Sequence, residues 1–131
     1  MRDYATQVAQ FSEFNRSQIL FALLFLGEAG FRGEDLPRAL SASLDVAALS
    51  LAKERGFSEA LDALAEIKKS ERVGEFSLRK LGLGRGAYQR AASSRGASSS
   101  DVTSEIETIY FLIAKKTGRP LGGASEAMSR N

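Results

Sequence analysis

The run Ile19-Leu20-Phe21-Ala22-Leu23-Leu24-Phe25-Leu26 holds eight consecutive apolar residues, and its reading decides the fold. Asn15 or Ser17 stands ahead of it as a helix cap, so the pattern predicts a helix reaching about Ala29. Eight helical positions turn through more than two revolutions, which makes this helix apolar around nearly its whole circumference. Other elements must cover it on several sides. It is therefore either the centre of a helical bundle or part of a subunit interface. It is well short of the roughly 20 residues that span a bilayer.

Working outward, the chain offers helical spacing on both sides of this run and no sustained alternation of the kind a strand needs. Before it, Tyr4, Val8 and Phe11 fall at i, i+4 and i+7 within about residues 3–14. After it, Gly30 and Gly33 break the chain, and Glu34-Asp35 ahead of Leu36-Pro37 marks a helix start. Leu36, Leu40, Leu44, Ala47 and Leu51 then recur at intervals of 4, 4, 3 and 4, which predicts one helix reaching Arg55, with or without a break near Ser41–Ser43. Gly56 is the expected stop and Ser58 the expected cap of the next helix, whose Leu61, Leu64, Ala65 and Lys68 continue towards Ser70.

The clearest helix is Asp101 to Thr117. Val102, Ile106, Ile109 and Ile113 form one stripe, and Tyr110 and Phe111 are expected to widen it. Asp101 and Glu105 at its start and Lys115-Lys116 at its end match the helix dipole, and Gly118 stops it. Ahead of it, residues 92–100 read as a polar connection. The expected fold class is all-α, a compact bundle of five or six helices. One domain over residues 1–118 and a flexible C-terminal tail over 119–131 complete the expected organisation.

The 131 residues include 44% hydrophobic and 26% charged side chains, enough for one core and too few for two. Cys, His and Trp are all absent, which excludes disulfides, a thiolate nucleophile, a zinc site built on Cys or His and an imidazole-based triad. Met1-Arg2-Asp3-Tyr4 places polar residues where an export signal needs apolar ones, so a cytoplasmic protein with no membrane association is expected.

Charge is unevenly spread. Residues 1–74 carry 9 basic and 11 acidic side chains, a net −2, whereas residues 75–131 carry 9 and 5, a net +4. Within the second part, residues 76–99 hold Arg79, Lys80, Arg85, Arg90 and Arg95 and no acid. Such a segment attracts anions even in a nearly neutral protein.

Two catalytic patterns compete with that basic segment. Glu28 with Glu34 or Asp35 brackets the turn at Gly30–Gly33, as paired glycosidase carboxylates would, yet acids also belong at helix starts and few rings are present to stack a sugar. The glycines of Leu81-Gly82-Leu83-Gly84-Arg85-Gly86 lack the Gly-Lys-Ser/Thr ending of a phosphate loop, and no buried strand precedes them. Neither pattern supports an enzyme, and no cofactor is expected.

The stretch Glu75-Phe76-Ser77-Leu78-Arg79-Lys80-Leu81-Gly82-Leu83-Gly84-Arg85-Gly86-Ala87-Tyr88-Gln89-Arg90-Ala91 resembles the helix-turn-helix DNA-binding motif. The resemblance covers about residues 76–94. It implies a first helix over 76–81, a turn at Gly82 and a second helix over 85–94 that enters the major groove. Leu78, Leu81 and Leu83 would fix the two helices. It also implies that Arg85, Gln89 and Arg90 face base edges, that Arg79 and Lys80 meet phosphates, and that Arg95 extends the same surface. Gly84 stands where the motif usually has Ser or Thr, and Gly86 weakens the second helix by roughly 1 kcal/mol relative to Ala. The expected function is that of a small DNA-binding regulatory or nucleoprotein accessory factor acting on duplex DNA as a homodimer. The alternative is a non-enzymatic helical protein-interaction module, an adaptor, antagonist or dimeric accessory protein, that uses the Leu36–Leu51 or Val102–Ile113 stripe as a groove or zipper.

Overall fold

The computed structural model describes residues 2–10, 14–94 and 102–121. The chain is all-α, as expected, but with seven helices among the described residues where five or six were expected. They are α1 (Arg2–Gln10), α2 (Arg16–Ala29), α3 (Asp35–Leu49), α4 (Lys53–Ser70), α5 (Glu75–Lys80), α6 (Arg85–Ser94) and α7 (Val102–Thr117). No helix among the described residues is long and apolar enough to cross a membrane.

The caps explain several boundaries. Asn15 accepts from the Gln18 N–H at 2.9 Å, while the Gln18 side chain accepts from the Asn15 N–H at 2.9 Å. This reciprocal pair starts α2 and satisfies two backbone donors that the helix itself cannot. At its other end Gly30 adopts φ 119°, and the Phe31 N–H reaches back to the Leu26 carbonyl at 3.1 Å. That turn buries Phe31 against the core.

Helices α3 and α4 pack as an antiparallel pair, and α2, α5 and α7 all rest on α4. The core gathers Ile19, Leu26, Leu40, Leu64, Ile67, Ile109 and Ile113 from these elements. Helix α2 is covered by α1, α3 and α4, so it is central to the bundle. Its cover is incomplete, because Phe21 and Leu24 remain 63% and 68% exposed.

One boundary differs from the sequence expectation. The stripe through Leu51 does not continue: α3 ends at Leu49, Ser50 turns to extended backbone, and Leu51 is fully exposed. Gly56 is no terminator, nor Ser58 a cap, for both lie inside α4. The buried part of the stripe, Leu36, Leu40, Leu44 and Ala47, lies wholly on α3, and α4 packs against α3 after the turn at residues 50–52.

Gly56 makes that fold-back feasible. A Cβ there would stand 2.2 Å from Ser50 Oγ, 2.6 Å from Ser50 Cβ and 3.4 Å from Ala47 Cα. The Ser50 hydroxyl is itself held on the Val46 carbonyl at 2.9 Å. Gly56→Ala should therefore destabilise the protein by about 1–3 kcal/mol through overpacking, despite the better helix propensity of Ala. In urea denaturation, Ser50→Gly combined with Gly56→Ala should recover most of that loss.

Helix α7 is clamped to α3 by a two-point ion pair. Arg38 Nη1 and Nη2 donate to the Glu107 carboxylate, the second bond being 2.8 Å, and the guanidinium lies 5.0 Å from the Tyr110 ring centre. Tyr110 is buried, and its hydroxyl makes no hydrogen bond among the described residues. Burial raises its pKa well above the ordinary phenol value; Arg38 lowers it, while Asp35 and Glu107 raise it. Because the folded value exceeds the unfolded one, the associated stability is fully present below pH ~10 and is lost as pH climbs further. Tyr4 and Tyr88 shift in the same direction by burial. Tyr110→Phe should make the fall in melting temperature above pH ~10 shallower without abolishing it, and should cost nothing at neutral pH, since no hydrogen bond is lost.

Candidate nucleic-acid interface

The basic segment folds as two short helices around a glycine turn. Glu75 and Gly74 open α5, and Gly82 ends it with φ 73°. The Gly82 N–H donates to the Arg79 carbonyl at 3.0 Å and the Leu83 N–H to the Leu78 carbonyl at 2.9 Å. These two bonds satisfy carbonyls at the end of α5 and reverse the chain within four residues, which is what lets α6 begin at Arg85. Leu78 and Leu81 are buried in the core, and Leu83 packs against it half-buried. Helix α5 rests on α4, whereas α6 rests on α7, so the angle between α5 and α6 is set mainly by the helices beneath them.

Helix α6 has one inward and one outward side. Ala91 is buried, with Ala87, Tyr88 and Ala92 half-buried beside it. Arg85, Gln89 and Arg90 are all exposed on the opposite side, where a 100° step per residue places them together with Gly86 and Ser93. Burial, and then the nearby Glu105 carboxylate, raise the pKa of Tyr88 on the inward side. Arg79 is exposed on α5, and Lys80 lies half-exposed with Nζ 5.4 Å from the Phe76 ring centre. Arg95 lies outside the described residues.

The cations form two groups rather than a single row. In the first, Arg79 Nη2 and Arg85 Nη1 each stand 3.9 Å from a different oxygen of Glu75. Glu75 lies one position before the acid-free stretch, and the sequence reading gave it no role against these arginines. Its carboxylate partly offsets their charge at a distance too long for good hydrogen bonds.

The second group was not legible as such. Lys115 and Lys116, read in sequence as dipole partners of α7, line a groove between α6 and α7 together with Arg90. Lys116 Nζ donates to the Gly82 carbonyl at 2.7 Å, tying the end of α7 to the turn after α5. Arg90 lies back along α6 over Gly86, where a Cβ would come within 3.3 Å of its Nη1. That guanidinium is the far end of an exposed, flexible side chain and can give by a few tenths of an ångström, so Gly86 costs helix propensity without a steric need for it.

The groove has a volume of about 530 Å³. Its apolar surface comes from Leu83, Ala87, Ala91, Leu112 and Phe111, and no carboxylate lines it. Phe111, expected to widen the core stripe, instead stands 43% exposed at this groove. Glu28, Glu34 and Asp35 are all exposed at helix ends. Among the described residues no group of three acids is arranged to hold a metal ion. No family model, curated protein or solved structure matches the chain.

Proposed function

We propose that this protein is a non-enzymatic DNA-binding factor of the regulatory or nucleoprotein-accessory kind, whose contact surface is the outer side of α5 and α6 with the end of α7. The observation that carries this reading is the outward side of α6, where Arg85, Gln89 and Arg90 stand exposed, with Glu75 of α5 3.9 Å from Arg85. Lys115 and Lys116 extend the same positive field across the neighbouring groove. Arg and Gln side chains on a helix suit guanine and adenine edges, while Arg79, Lys80 and the paired lysines suit phosphates. The positive end of the α6 dipole, beside Arg85, adds to the attraction.

Replacing Arg85 and Arg90 together with Ala tests this directly. Both side chains are exposed, so stability should change by less than about 0.5 kcal/mol. Duplex affinity, read by fluorescence anisotropy, should fall by roughly 1–3 kcal/mol for each arginine that meets a base. The wild-type log–log salt dependence should have a slope of about −0.9 per phosphate neutralised, and the double variant should flatten it. A wild-type chain that fails to bind duplex at low salt would end the proposal.

The second reading, a protein-interaction module, draws on a different surface. Phe21 and Leu24 project from α2, and beside Phe21 lies a hollow of about 330 Å³ walled by Phe14, Phe57 and Leu61. Projection and hollow on one patch suit a two-fold self-association, which a palindromic DNA site would mirror. Sedimentation at micromolar concentration should show a dimer, and Phe21→Glu with Leu24→Glu should give a folded monomer. A wild-type monomer would instead leave this patch to a different protein partner.

A further inference from the structure

The groove between α6 and α7 combines two features that a fully paired duplex does not use together. Its rim carries Arg90, Lys115 and Lys116, while its interior is apolar and bordered by the exposed ring of Phe111. Duplex DNA presents phosphates outward and hides the faces of its bases by stacking. Cations alone would suffice for such a surface. An unpaired nucleotide differs, because it offers a flat apolar face and a phosphate within one short unit.

We propose that this groove seats an unpaired deoxynucleotide, its base against Phe111 and its flanking phosphates on Arg90, Lys115 and Lys116. The inference rests on the DNA-binding reading above and narrows it: the preferred DNA contains a single-stranded or unpaired position. The volume of about 530 Å³ falls in the range of sites that enclose small molecules. Charge complementarity selects an anion, since three cations and no carboxylate line the groove. The apolar floor at Ala87 and Leu112 then selects an anion with a planar apolar body. The hold of Lys116 on the Gly82 carbonyl keeps the end of α7 against the α5–α6 turn, so the rim is in place before a ligand arrives.

The test uses the full chain and three labelled probes: a short oligothymidylate, a strand of equal length made of abasic sites, and a duplex. Wild type should prefer oligothymidylate to the abasic strand by about 5- to 150-fold, the range expected for one stacked base. Phe111→Ala should erase that preference while leaving abasic-strand affinity and the salt slope unchanged, and Phe111→Trp should retain it. Ala87→Leu, which fills the floor from a half-buried position, should also erase it and serves if Phe111→Ala does not fold. Equal wild-type affinity for the two strands overturns the inference, as does an equal loss on both strands in Phe111→Ala. If the duplex binds but no base-dependent preference appears, only the nucleotide seat fails; if no probe binds, the DNA reading fails with it.

Discussion

At Gly56 the backbone of α4 comes so near the end of α3 that a single methyl group would overlap Ser50. Helices α2, α5 and α7 are laid on the pair that this approach creates, and α1 and α6 pack in turn on α2 and α7. Helix α2 packs on both members, α5 on α4, and α7 on both, with Arg38 and Glu107 bridging α3 to α7. If α3 and α4 were forced apart by a larger residue, those helices would lose a common surface rather than one contact. Overpacking at such a position is felt widely because protein interiors are nearly as dense as crystals.

The local signals in the sequence specified local structure well. Asn15, one of the two caps the sequence offers, Gly30 and Gly82 each act within a few residues, and each sits at a boundary. Ile106, Ile109 and Ile113 likewise face inward as their spacing requires. Failure came where two tertiary outcomes share one sequence pattern. The stripe from Leu36 to Leu51 is equally consistent with a helix that stops near Arg55 and with one that stops at Leu49, because periodicity does not register where the partner surface ends. Gly56 carries the deciding information, but a glycine needed for close approach looks the same in sequence as one that stops a helix.

The charged surface shows the same division. Exposure of Arg79, Arg85, Gln89 and Arg90 follows from their places on short amphipathic helices, and the sequence revealed it. Their grouping does not follow. Glu75 reaches Arg79 along its own helix and Arg85 across the turn, so only the folded turn brings the three together. Lys115 and Lys116 lie more than twenty residues beyond Arg90 and join it because α7 returns past α6. Their adjacency is a property of topology, invisible to a count of charges along the chain.

Phe111 shows how an apolar side chain can be misread in a helical stripe. In sequence it extends the apolar face of α7, yet Tyr110 and Ile113 already fill the arc that meets the core. A helix surface offers an inward arc of limited width, so a residue 100° beyond Tyr110 must leave it. Phe111 consequently faces the α6–α7 groove, bordered by Lys115, where a polar residue would meet water at no cost in packing. An exposed ring is ordinary when isolated among neutral neighbours. Set at an open groove beside cations, it would supply the planar apolar contact that the proposed nucleotide seat requires.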